Sequence, residues 1–95
     1  MADFSSLYNH HEREVFAAVT AGIGSYPGLE ITNDLLCDVA CVALNRLPPR
    51  YIRHEVDFSF YMTAAERNEI DTAISEAVTF AFQFVEARTA LRRAG

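Results

Sequence analysis

The run Ala43-Leu44-Asn45-Arg46-Leu47-Pro48-Pro49-Arg50-Tyr51-Ile52-Arg53-His54 decides the fold, because an apolar helical pattern stops there against two prolines. A proline pushes the residue before it out of the α region, so Pro48 acts on Leu47 and Pro49 on Pro48, and the helix has to end near Arg46 with the chain leaving extended. Three of the chain's eight basic residues fall in these twelve positions, beside a tyrosine. The guanidinium is a rigid, permanently charged fork of donors that suits phosphates and carboxylates and stacks on rings. The stretch that ends the helix is therefore also the first place to look for a ligand, and the candidate binding residues are Asn45, Arg46, Arg50, Tyr51, Arg53 and His54. Arg46 leaves a helix end, Arg50 follows the stiff Pro-Pro step, Tyr51 offers a stacking face, and Arg53 and His54 continue along the extended backbone. The structural alternative has Arg46 pairing with Asp38 or with carboxylates of the last helix, and Arg53 balancing Glu55 or Asp57.

Upstream, Thr32 or Asn33 can cap a helix running to about Leu47, with Asp34 complementing its positive end. Leu35, Leu36, Val39, Ala40, Val42, Ala43 and Leu44 leave almost no polar face, which makes this helix central. Asp38 and Asn45 are the exceptions, two turns apart on one side; they either bond neighbouring backbone or form a polar seam leading to the arginines. Cys37 and Cys41 supply two ligands where a structural zinc site wants four, so they read as small buried hydrophobes, the alternative being a metal shared across a dimer. Further upstream, Leu7, Tyr8, His11, Val15, Phe16 and Val19 recur at helical spacing and predict a first helix over about Ser5 to Ala21. Gly22, Gly24, Ser25, Pro27 and Gly28 then make a loop. Residues 1–4 read as a tail and 5–95 as a single domain.

Downstream, Val56, Phe58 and Phe60 alternate with Glu55, Asp57 and Ser59, the period of a half-buried strand. A lone strand leaves its backbone unpaired, so it is expected either to pair with its own copy in a second subunit or to be an extended segment only. Thr63-Ala64-Ala65-Glu66 matches a capping box, and nothing after it breaks a helix from Ala64 to about Arg92, roughly 43 Å long. A compact domain of this length has a radius of gyration of only about 12 Å, so the last turns overhang a monomer. Phe80 and Phe84 share one helix face while Phe82, offset by about 200°, lies on the other. The expected fold is thus mainly α: a three-helix small domain with a short extended or strand segment before a long C-terminal helix, assembled as an intertwined homodimer.

A formal charge of −5 on 95 residues argues against general nucleic-acid binding, which needs a broad basic footprint, and against docking on anionic membrane. Any anion site has to be local. No stretch approaches the roughly 18 apolar residues of a membrane span, and the first residues lack the regions of a signal peptide, so the expected location is cytoplasmic. All eight basic residues are Arg and none is Lys, which removes Schiff-base chemistry. His10 and His11 sit in the first helical run, where His11 reads as a packed histidine. His54 beside Glu55 has no serine or cysteine tied to it by a motif, and Glu66, Glu69 and Asp71 are favoured by a helix N-terminus without any catalytic purpose. Catalysis is not expected, and no metal or cofactor is.

Asp38-Val39-Ala40-Cys41-Val42-Ala43-Leu44-Asn45-Arg46-Leu47-Pro48-Pro49-Arg50-Tyr51 resembles the ComFB family, the late-competence-development proteins of bacteria. The resemblance extends over about residues 7 to 90 and includes the Leu7-Tyr8-Asn9 to Val15 opening. It implies a small, mostly helical homodimer. Some cyanobacterial members are known as receptors for cyclic dinucleotide second messengers, which suggests cyclic di-GMP as a ligand here, with Arg50 and Arg53 on phosphates or guanine edges, Tyr51 stacking, and Arg46 and Asn45 in support. Members with several cysteines near the second helix resemble zinc-binding proteins; this chain has only Cys37 and Cys41 there, so a zinc site is not carried over. The rival reading is an adaptor that docks a protein of competence, pilus or motility regulation.

Overall fold

The computed structural model describes residues 2–94 and their side chains, that of Asp57 excepted. In chain order they form β1 (Tyr8–Asn9), α1 (His11–Gly22), a single 3-10 turn over Ile23–Ser25, α2 (Asn33–Arg46), β2 (Tyr51–Ile52), α3 (Glu55–Tyr61) and α4 (Ala64–Ala94). Helices α1, α2 and α4 pack on one another and make the core. On α4 the buried positions are Ile74, Ala77, Val78, Ala81, Phe82 and Val85, the 3-4 spacing of a single apolar stripe. That stripe meets Val39 and Ala43 of α2 and Val15 and Val19 of α1, with the alanines letting the backbones approach.

The helix boundaries follow from local chemistry. Thr32 Oγ1 accepts the Leu35 amide at 3.1 Å, and Thr63 Oγ1 accepts that of Glu66 at 3.1 Å, so both threonines cap as the sequence predicts. Arg92 and Arg93 in the last turn of α4 complement its negative end. Helix α4 has 31 residues and hence spans about 46 Å, nearly the whole 48 Å long dimension of the molecule. At the end of α1 a Cβ on Gly22 would lie 2.9 Å from Cε2 of Phe82. Glycine stands there because the ring of Phe82, stacked on Tyr26 at 4.4 Å, comes that close.

Three expectations need correction. The first helix does not start at Ser5: Tyr8 and Asn9 are extended and pair antiparallel with Ile52 and Tyr51. The side chain of Asn9 competes with helical backbone by taking the His11 amide itself, at 3.2 Å, and α1 begins only after it. Next, Val56 to Phe60 is not a strand but part of α3, which brings the helices to four among the described residues. With no strand beside it, this segment satisfies its backbone internally, beginning with Phe58 N donating to His54 O at 3.2 Å. Its alternating pattern then places Val56 and Phe60 on one helix face and Phe58 on the other. The only sheet among the described residues is β1-β2, formed within one chain and not with a copy. Finally, Cys37 and Cys41 are exposed, not buried, because α2 turns Val39, Ala40 and Ala43 to the core and its Cys37-Asp38-Cys41-Asn45 side outward.

Candidate functional site

The site begins where α2 ends. Leu47 has extended backbone angles, φ −97° and ψ 136°, as the following proline requires, and its side chain is buried in the core. From that anchor Pro48 and Pro49 carry the chain to Arg50, where Asn9 catches it. Asn9 Oδ1 accepts the Arg50 amide at 3.1 Å in addition to that of His11, and the His10 amide donates to the Arg50 carbonyl at 2.7 Å. One buried asparagine thus clips the segment after the prolines to the start of α1, and the β1-β2 pairing continues the clip for two residues.

Beneath it lie His10 and His11, both buried. The His10 ring packs on Phe58 of α3 at 4.4 Å between centroids, and the Arg50 guanidinium lies 4.8 Å from the same ring. Nδ1 of each histidine is buried without a hydrogen-bond partner among the described residues. Burial, chiefly, pushes the His11 imidazole below its ordinary pKa, with the neighbouring His10 and Arg50 acting in the same direction and a hydrogen bond to the Pro48 backbone opposing. His11 is accordingly neutral near pH 7. Tyr8 donates to Glu55 Oε2 at 3.5 Å, which Arg13 also approaches at 3.7 Å. Burial first and the Glu55 charge second hold the Tyr8 phenol above its usual value.

Above the clip, Arg50, Tyr51, Arg53 and His54 are all exposed, Tyr51 at 69%. Arg53, His54, Glu55 and Val56 line one open depression of about 350 Å³. Arg50, Phe58, Tyr61, Met62 and Glu66 line another of about 290 Å³. A cleft of about 250 Å³ runs under the prolines between His11, Leu47, Arg50 and Glu69. Such a surface offers forked donors, an imidazole and a phenol ring, a set suited to an anion carrying flat groups.

The six candidate residues divide into two groups. Arg50, Tyr51, Arg53 and His54 are exposed in and beside β2, with Arg50 lining one depression and Arg53 and His54 another, whereas Arg46 turns toward α4 and Asn45 stays on the outer side of α2. The Arg46 guanidinium sits 3.8 Å from the centre of the Phe80 ring, and Asn45 Nδ2 donates to Cys41 Sγ at 3.6 Å. Neither anticipated partner holds Arg46: Asp38 pairs with Arg88 of α4 at 3.3 Å, and the Arg88 guanidinium in turn lies 5.9 Å from Phe84. Arg53 does not meet Glu55, whose carboxylate faces Arg13 and Tyr8; the side chain of Asp57, its other anticipated partner, lies outside those described. Asn9 and His10 are the residues that sequence reasoning passed over. Asn9 carried a readable signal, an Asx side chain just before a helical run, but its second bond, 41 residues along the chain, has none.

Among the described residues no three His, Cys, Asp or Glu side chains gather as a metal site requires, and no helix is long and apolar enough to cross a membrane. The structure is a small helical domain whose Leu-Pro-Pro-Arg-Tyr run is clipped to its first helix. The family described as late competence development protein ComFB matches residues 8–89, from the first residue of β1 to near the end of α4, and the chain belongs to it. No curated protein shows a significant match to the chain.

Proposed function

We propose that this protein is a non-enzymatic, homodimeric receptor for a cyclic dinucleotide second messenger, with cyclic di-GMP the favoured ligand. The observation that carries the reading is the display of Arg50, Tyr51, Arg53 and His54, all exposed, on backbone held by Asn9 and β1. In a chain with a formal charge of −5 this is a local concentration of cations, as a small dianionic ligand requires. A two-fold symmetric ligand suits a two-fold dimer, in which each copy presents the same groups to one half. Asn45 and Arg46, directed to Cys41 and Phe80 respectively, support the surface from a distance.

Calorimetric titration with cyclic di-GMP, cyclic di-AMP, GMP and ATP tests the proposal. Saturable binding of one cyclic dinucleotide, lost on Arg50→Ala and Arg53→Ala, is the expected result. Heat-free titrations at tens of micromolar with folded protein would remove it.

A second reading, an adaptor in competence, pilus or motility regulation that needs no nucleotide, draws on the far end of α4, where Leu91 is 74% exposed on the overhanging turns. Capture of a protein partner that survives Arg50→Ala and Arg53→Ala but is lost on Leu91→Ser favours that reading.

A further inference from the structure

Beyond Leu91, three exposed apolar surfaces on the helices stand out among the described residues. One is already answered within the chain, because Arg46 and Arg88 lie against Phe80 and Phe84. The second is the outer edge of α3, where Val56, Phe60 and Tyr61 are 80%, 80% and 79% exposed while Phe58 on the inner side packs on His10. The third is a groove of about 510 Å³ between α1 and α2, bordered by Phe16, Leu36, Ala40, Cys41 and Leu44 and without a charged side chain in its lining. One surface is a projecting edge and the other a concavity, and the apolar side chains of the edge suit an apolar groove.

The area available matches a second copy. The chain exposes 6752 Å², whereas a folded monomer of 10.6 kDa exposes about 5,500 Å². The excess, about 1,250 Å², is of the size that one protomer of a permanent dimer buries. The radius of gyration is 15.5 Å, where a compact chain of this length has about 12 Å.

We propose that the Val56-Phe60-Tyr61 edge of α3 seats in the α1-α2 groove of a second copy of this chain, and that the groove of the first receives the same edge in return. Two equal contacts close the pair, so assembly stops at the dimer and does not run on as a fibre. The inference rests on the homodimer reading and adds the surfaces that make it. Because α3 follows β2 within three residues, the interface sets the spacing of the two Arg50-to-His54 surfaces.

Sedimentation of the full chain across 1–200 µM, with Phe60→Ser, Phe16→Ala and their 1:1 mixture, tests it; circular dichroism checks that each variant keeps its helix content. Both exchanged residues are at least half exposed in the single chain, Phe16 at 51%, so folding should survive. Each variant is expected to weaken dimerisation roughly a hundredfold, about tenfold at each of the two equivalent contacts. The mixture should dimerise about tenfold more tightly than either alone. It retains one wild-type edge facing one wild-type groove, and a contact already broken loses little more when its other side is cut. Cys37 and Cys41, which line the groove, should react slowly with a thiol reagent in the wild-type dimer and quickly in Phe60→Ser. A wild-type dimer that ignores Phe16→Ala, or a mixture no tighter than its components, overturns this interface and leaves the dimer standing; a wild-type chain that stays monomeric at 200 µM removes both.

Discussion

Replacing Asn9 with alanine should undo the clip on which the site is built. The oxygen removed accepts two amides, those of His11 and Arg50, at 3.2 and 3.1 Å, and the side chain is only 9% exposed. Alanine returns nothing to either donor, and water reaches the pair poorly; a stranded buried donor costs about 1–3 kcal/mol. The Arg50 amide is only partly buried, so the two together come to about 2–3 kcal/mol, which for a domain of this size lowers Tm by about 10–20 °C. Asn9→Asp keeps an oxygen in place and should lose less than half as much. Thermal unfolding followed by circular dichroism gives the stability of each variant. If the proposed receptor reading holds, calorimetry at 10 °C, where all variants are folded, should also show weaker ligand binding by Asn9→Ala, since Arg50 and Tyr51 then leave a mobile backbone. An Asn9→Ala protein that melts within about 3 °C of wild type would show that the two bonds contribute little and that the clip is held by something else.

Gly22→Ala should lower Tm by about 5–10 °C in the same assay: the better helix propensity of alanine is outweighed by a Cβ 2.9 Å from the ring of Phe82, which is 1% exposed and stacked on Tyr26. For His11 the folded pKa lies below the ordinary 6.5, so the stability tied to its neutral form is fully present above that value and is lost as pH falls through the lower folded value. The Tm advantage of wild type over His11→Gln should therefore shrink between pH 7.5 and pH 5, and a gap that stays constant would refute the assignment. If the proposed ligand site is right, Arg50→Ala and Arg53→Ala should each weaken cyclic di-GMP binding at least about tenfold, as expected for a lost charge-assisted contact, while Arg46→Ala, which vacates the Phe80 ring, changes it less than about threefold.

Features set by short-range chemistry could be read from the chain directly. Thr32 and Thr63 announce their helices, Pro48 forces the break after Arg46, and the 3-4 spacing from Ile74 to Val85 announces the buried face of α4. The segment from Val56 to Phe60 was misleading because an apolar residue at every second place satisfies two geometries: one sheet face, or two opposite helix faces. Which geometry wins depends on whether another strand is at hand to take the backbone hydrogen bonds, and that is a tertiary fact. The cysteines misled for a related reason. A helix with apolar residues all round does not say which side its neighbours occupy, and here α1 and α4 leave the Cys37-Cys41 side open. For the candidate site, the four residues from Arg50 to His54 were legible as a group because they are adjacent in sequence. The departure of Arg46 was not, since it depends on Phe80 arriving 34 positions later.

The prolines and Asn9 together explain why a cationic surface can be kept on so small a domain. Pro48 and Pro49 remove conformational freedom from the unfolded chain at the step leaving α2, and Leu47 fixes one end of that step in the core. Asn9 fixes the other end through backbone amides and takes up none of the side chains of Arg50, Tyr51 or Arg53. A ligand meeting Arg50, Tyr51 and Arg53 would then lose side-chain freedom but little backbone freedom, which lowers the cost of ordering the site. Placing His10 and His11 below the clip has a structural consequence as well. Any shift of the backbone at Arg50 has to disturb the amide of His10, and through it the first turn of α1, whose Val15 is fully buried against α2 and α4. Movement at the arginine surface is thereby resisted by the whole three-helix core, and a signal that moves this surface has to be strong enough to move α1 with it.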